Sequence, residues 1–307
     1  MPGERRGPAG GVAAVAVAAT VWGTTGTATH FAPGVPPAVF GAVTFGLGGL
    51  VLAVAAGRGT VRALVSPRTR RWVLIGAASL VVYAVAFYAA LADAGVALGT
   101  TVAIGSSPVF AGLVEWVTDR RPVTTRWAVA ALVSVAGMVV VTLARSEHDA
   151  GGGSLVAGVA AALLAGCTYA LYSWAVARGL RATPETGPPD GRGVVGAVFG
   201  LAAVPLVVSV VVGGARFLGE PAHWPVFLYL ALVPTVLGHA LYAVGLRAVG
   251  AAAATLVSLL EPVVAAVLAV LVVGERLGAA GWVGVGLVVV GLTVLTVPAR
   301  RGAVRGG

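Results

Sequence analysis

Residues 250–282 read GAAAATLVSLLEPVVAAVLAVLVVGERLGAAGW, and from Gly250 to Val273 the only charged residue is Glu261. Wound as a helix at about 1.5 Å per residue, such a run is long enough to cross the hydrocarbon core of a bilayer, about 30 Å thick. Working outward, similar charge-poor runs fall at roughly 10–31, 36–56, 72–92, 96–118, 127–144, 154–176, 194–214, 224–246 and 279–298. A chain that is 58% hydrophobic, only 10% charged and of mean hydropathy +0.98 cannot build a water-facing surface around so many apolar runs. The expected fold is an all-α integral membrane protein of about ten transmembrane helices, with the lipid bilayer as its solvent.

All twenty basic residues are Arg, and the formal net charge is +9. On one face they would suggest nucleic acid, but they lie between the spans, so no nucleic-acid partner is expected. With the N-terminus in the cytoplasm, seventeen of the twenty fall in inner loops or at the termini; only Arg145, Arg216 and Arg276 fall outside. That bias predicts a multi-pass protein of the cell (plasma) membrane with both termini cytoplasmic. Arg5 and Arg6 precede an apolar stretch, but Gly10–Phe31 is too long for a signal-peptide core and reads as a retained first helix. The lone cysteine, Cys167, excludes an intramolecular disulfide and reads as a small buried hydrophobe.

Between Arg145 and Ser154 lies a polar joint containing Asp149, Gly151, Gly152 and Gly153, expected on the outer side. It divides the chain into two halves of five spans, 10–144 and 155–298. An odd number of spans per half forces the halves to face opposite ways, so similarity between them is an inverted repeat. A shift of 154 positions carries Tyr88 onto Tyr242, Pro108 onto Pro262 and Gly137 onto Gly291, and one further residue aligns Trp127 with Trp282. The connection Arg178–Gly193, rich in Pro and Gly, reads as a solvated inner loop.

Four motifs stand out: Val21-Trp22-Gly23, Tyr169-Ala170-Leu171-Tyr172, Gly245-Leu246-Arg247 and above all Ser258-Leu259-Leu260-Glu261-Pro262. Gly274-Glu275-Arg276-Leu277 and Gly281-Trp282 follow. In them the chain resembles the drug/metabolite transporter superfamily, in its EamA-type branch of ten helices made of two five-helix repeats. In the first half Ser107-Pro108 stands in the place of Glu261-Pro262, and Asp119-Arg120-Arg121-Pro122 in that of Gly-Glu-Arg-Leu. The resemblance implies a secondary transporter of small organic metabolites or drugs, often an exporter, with a cavity between the repeats.

Glu261 lies near the middle of its span, where a carboxylate is costly unless protonated, paired or hydrated. It is expected either to line the cavity and couple transport to protons, or to bond a neighbouring helix as a neutral acid. Pro262 frees the carbonyl of Ser258 and Pro108 that of Ile104, so both are expected helix breaks at the solute site or, failing that, packing kinks. Thr235, His239 and Tyr242 at i, i+4 and i+7 share one helical face, and His239 is the nearest partner for Glu261 by topology. Trp22, Tyr83, Tyr169 and Tyr172 are candidate aromatic walls for an amphipathic or cationic solute, with packing the alternative. Ser107 and Ser258 complete the expected lining. Glu115, and Glu275 with Arg276, are expected at interfaces.

No metal and no cofactor is expected, since the four His residues do not cluster at ligand spacing. Without Lys there is no P-loop, no His-Glu-x-x-His helix occurs, and Gly105-Ser106-Ser107-Pro108 is no nucleophile elbow. The expected activity is gradient-driven carriage by alternating access, with a proton as possible coupling ion. The alternatives are an intramembrane enzyme acting on lipid or isoprenoid substrates and a non-transporting scaffold.

Overall fold

Lipid offers no partner to an exposed amide, so an apolar chain satisfies its backbone there by winding into helices. The computed structural model describes residues 8–120, 122–145, 154–183, 191–274 and 276–296, and among them there is no strand. Ten helices are long and apolar enough to span: α1 (Pro8–Thr29), α2 (Pro37–Ala56), α3 (Arg70–Ala94), α4 (Leu98–Asp119), α5 (Thr125–Ala144), α6 (Leu155–Arg181), α7 (Gly191–Gly213), α8 (Pro221–Val249), α9 (Ala251–Val273) and α10 (Ala279–Thr296). The protein is an all-α integral membrane protein, as the charge-poor runs predict. The joint Asp149–Gly153, the loop residues Pro184–Asp190 and Glu275 lie outside the described residues. Arg276 is exposed, as expected of an interfacial residue.

The packing is that of a bundle in lipid. Small residues such as Ala18, Ala165, Ala197 and Ala254 are fully buried between helices, whereas Val54, Leu132, Val212 and Leu271 point outward into the apolar solvent. The closest helix pairs are α3 with α6, α5 with α10, α2 with α7, and α4 with α6. Glycine makes two of these approaches possible. A Cβ on Gly137 of α5 would stand 2.6 Å from the carbonyl oxygen of Gly284 on α10, and one on Gly284 would stand 2.6 Å from that of Gly137. On α2 and α7, a Cβ on Gly49 would meet the Phe199 carbonyl at 2.6 Å, one on Gly46 would meet Val207 at 2.9 Å, and one on Gly200 would meet Ala53 at 2.8 Å. Backbones this close gain dispersion contact where lipid gives no hydrophobic drive.

α1 turns at Thr24 between helical pieces Pro8–Gly23 and Thr25–Thr29, α8 and α9 also depart from simple α-winding, and α4 and α7 keep it despite Pro108 and Pro205. α8 is π-wound over Ala231–Gly238, around Pro234. α9 is interrupted at Ser258 and Leu259, between helical pieces Ala251–Val257 and Leu260–Leu268. α4 contains Pro108 yet its helix is continuous from Val96 to Asp119. The break expected at Pro108 is therefore not present, and the reason is local. The Ser107 hydroxyl donates to the Ile104 carbonyl at 2.8 Å, replacing the amide that proline removed.

Candidate functional site

Six of the residues proposed from sequence as site lining converge in one aromatic cluster. Trp22 of α1 lies 4.9 Å from His239 and 5.1 Å from Tyr242 by ring centroids. Tyr169 of α6 stacks on Tyr242 at 6.2 Å, 22° from parallel, and touches Tyr83 of α3 at 5.4 Å and Tyr172 at 6.0 Å. Tyr172 reaches His239 at 6.3 Å. Offset and tilted rings at such spacings add attraction beyond the area they bury. Tyr172 and Tyr242 are wholly buried, while Tyr83 and Tyr169 are only partly so.

Phe87 stacks on Tyr83 at 5.6 Å, and two more rings that were not singled out from sequence join the cluster. Phe45 of α2 lies 6.0 Å from His239, 6.4 Å from Tyr83 and 6.3 Å from Phe199 of α7, and Phe199 lies 4.6 Å from His239. A signal for them existed, because the 154-residue shift carries Phe45 onto Phe199.

Polar groups hold the rings in place. The Trp22 indole N–H donates to the Pro234 carbonyl in the π-wound turn of α8 at 2.9 Å, and a Cβ on Gly238 would stand 2.5 Å from that nitrogen, so the indole can lie here only against glycine. Pro234 deprives the Leu230 carbonyl of its helical donor, and the Thr235 hydroxyl supplies one at 3.3 Å. Tyr242 and Ser173 share a hydroxyl hydrogen bond of 2.9 Å. The Thr235, His239 and Tyr242 side chains are buried together despite the altered winding, and His239 Nδ1 bonds the Thr235 carbonyl at 3.0 Å. Trp22→Phe keeps a ring in place but takes the indole N–H from the Pro234 carbonyl, leaving it only the His239 contact. The expected loss is about 1–3 kcal/mol, read as a lower Tm of the detergent-solubilised protein; an unchanged Tm would mean the carbonyl finds another donor.

Glu261 is the eleventh of the 23 residues of α9 and is partly buried. Its backbone N–H closes on the Ser258 carbonyl at 2.9 Å, so the group that Pro262 deprives is satisfied by the main chain. Its carboxylate lies within electrostatic range of Tyr83, and has no hydrogen-bond or ion-pair partner among the described residues. His239 does not supply one: its contacts are the Thr235 and Pro234 carbonyls and four aromatic rings, and α1 packs against both α8 and α9. Ser107 and Ser258 are buried with their hydroxyls bonded to Ile104 and Thr255 of their own helices. Among the described residues no three His, Cys, Asp or Glu side chains gather. Cys167 is a free, partly buried thiol.

The ends of the bundle differ. At the end where Arg71, Arg120, Arg178, Arg181 and Arg247 lie, the helices are tied to one another. Glu115, expected at the interface, accepts the Ala251 N–H at the start of α9 at 2.7 Å. Asp119 pairs with Arg178. At the opposite end a cleft of about 390 Å³ opens between α1, α8 and α9, lined by Thr24, Thr27, Phe31, Val226, Tyr229 and Leu268.

Residues 9–143 and 156–297 each match the EamA-like transporter family. The chain is 32% identical over 294 residues to YwfM, an uncharacterized transporter of Bacillus subtilis (strain 168), across 94% of both chains. It also superposes on a protein of known crystal structure with a TM-score of 0.77, covering 93% of this chain and 96% of that one, at 24% identity, a likeness of fold. Ten apolar helices, an aromatic centre drawn from both ends of the sequence and two family matches that together span nearly its whole length lead to one assignment: the chain is a multi-pass membrane transporter and belongs to the EamA-like transporter family.

Proposed function

We propose that the protein is a gradient-driven carrier of small organic metabolites or drugs that works by alternating access, with Glu261 as its proton-coupling group. The observation that carries this reading is a carboxylate halfway along a span, partly buried and without a partner among the described residues, beside an aromatic cluster. A carboxylate at that depth is costly, and service in a cycle of proton and solute binding is a physical reason to retain it. The ring faces of the cluster and the nearby Glu261 carboxylate favour a cationic or neutral solute with an apolar or aromatic body over an anion. The direction proposed is export, on the family resemblance. The family assignment also favours transport over the enzymatic alternative.

The moving parts we propose are the halves 10–144 and 155–298, related as inverted repeats. Support comes from reciprocal contacts under the 154-residue shift. The contact of Gly137 with Gly284 is exchanged for that of Gly291 with Ala130, and Gly46 with Val207 for Gly200 with Ala53. Phe45 meets its own equivalent, Phe199. Such exchange is what a two-fold axis between the halves produces.

Solute flux into proteoliposomes containing only this protein, with and without an imposed pH gradient, tests the carrier reading. Chemical conversion of the solute would favour an enzyme, and neither flux nor conversion a scaffold. Orientation is tested separately, with both termini proposed cytoplasmic in the plasma membrane. Ser154→Cys and Gly191→Cys, each with Cys167 replaced, should react with an impermeant thiol reagent from opposite sides, and same-side labelling would remove the inverted relation.

A further inference from the structure

The arginine-rich end is shut by two acids on one helix. Glu115 and Asp119 lie four residues apart on α4, hence on one face. The first crosses to the Ala251 N–H of α9 and the second to the Arg178 guanidinium of α6. Arg178 is in turn held 5.7 Å from the ring centroid of Trp72 and 5.5 Å from that of Trp174, which meet edge to face at 5.2 Å. One helix of the first half thereby clasps two helices of the second with charge-assisted bonds, a strong class of hydrogen bond.

Among the described residues the opposite end shows no such pair of acid-held bonds. The 154-residue shift carries Glu115 onto Ala269, whose side chain cannot accept a hydrogen bond, and the motif that starts at Asp119 stands opposite Gly274-Glu275-Arg276-Leu277, with Gly274 in the place of Asp119. Ala269 lies in the last turns of α9, immediately beyond Leu268, which lines the open cleft. Among the described residues, the end with the two acids is bonded across the halves, and the cleft lies at the other end.

We propose that Glu115 and Asp119 are the gate residues of the transport cycle, and that their absence from the second half sets the resting state, closed at the arginine-rich end and open at the other. The inference rests on the carrier reading. Each turnover must release both bonds so that α6 and α9 part from α4 and the aromatic centre opens toward the arginines. Because the two bonds leave one helix for two others, losing either loosens one side of the gate, and losing both biases the whole equilibrium.

Accessibility of a reporter thiol tests the gate. Ser173 lies on α6 one turn from Tyr169 in the direction of Arg178, and Ser173→Cys with Cys167 replaced places a thiol between the cluster and the gate. Its labelling by an impermeant reagent would be measured from each side of the membrane. Glu115→Ala with Asp119→Ala should raise the rate from the arginine-rich end by about tenfold or more and lower it from the other. Glu115→Gln with Asp119→Asn, which keep oxygen acceptors without the charge, should fall between that pair and the parent. In a second measurement, Asp119→Cys with Arg178→Cys joined by a short cleavable thiol crosslinker should stop solute exchange, and cleavage should restore it. Unchanged labelling in both inserted pairs, or parental exchange by the crosslinked protein, would overturn the gate. Labelling of the parent that never responds to solute from either side would overturn the carrier reading, and the gate with it; solute-dependent labelling that the substitutions do not shift overturns the gate alone.

Discussion

Glu261→Gln is expected to abolish uphill, pH-driven accumulation of solute while sparing insertion, folding and downhill exchange. The amide matches the protonated acid in size and shape, and no partner among the described residues depends on the carboxylate's charge. The backbone bond from residue 261 to the Ser258 carbonyl is independent of the side chain, so the interruption of α9 should persist. What disappears is the exchangeable proton. One pH unit is worth about 1.4 kcal/mol per proton, so a one-unit gradient can support about tenfold accumulation in the parent and none in the variant. Glu261→Asp keeps the acid on a shorter stem and should retain partial coupling with a displaced pH profile. Accumulation by the Gln variant at the parental level would reduce Glu261 to a structural acid.

The second large effect is expected at the contact of α5 with α10. Gly137→Leu has to place a branched side chain where even a Cβ would stand 2.6 Å from the Gly284 carbonyl and 2.7 Å from the Leu287 Cβ. The obstructing atoms include backbone on a neighbouring span, so relief requires the two helices to separate. Overpacking of this kind costs about 3 kcal/mol or more, a large fraction of the stability of a typical fold. The variant should yield little monodisperse protein in detergent. Gly286→Leu is the matched control, because a Cβ there meets nothing within 4 Å and Gly286 is exposed on α10. Equal recovery of the two variants would show that the close approach does not hold the helices together.

The spans were legible because lipid imposes a length on every apolar run, and a few scarce residues carried the internal shift. The same shift pairs Phe45 with Phe199, yet an apolar ring in an apolar run announces no special role. Helix winding was the least legible property. Pro108 and Pro234 are both prolines inside apolar spans, but Ser107 lets α4 continue, while α8 winds as a π-helix around Pro234. Nothing in the spacing of apolar residues distinguishes these outcomes: at both prolines a neighbouring hydroxyl bonds the deprived carbonyl, and only at Pro234 does a ring from another helix bond the turn. Likewise Glu115 reads as an acid near an interface, and only the packing of α4 on α9 brings it to the Ala251 amide. Chain order placed His239 beside Glu261, whereas α1 packs against both their helices and His239 is enclosed by rings.

The difference between Ser107 and Glu261 at matching positions has an electrical consequence. With an acid in one half and a hydroxyl in the other, the proposed cycle exchanges at most one proton per turnover at this position. Swapping one proton for one singly charged cation moves no net charge, so a membrane voltage should leave that exchange unaffected and only the pH difference should drive it. A neutral solute exchanged for the same proton would carry one charge across, and a voltage of 100 mV would then weigh about 2.3 kcal/mol on each turnover. Current recorded from a planar bilayer or a supported membrane would therefore report the valence of the cargo before its chemical identity is known.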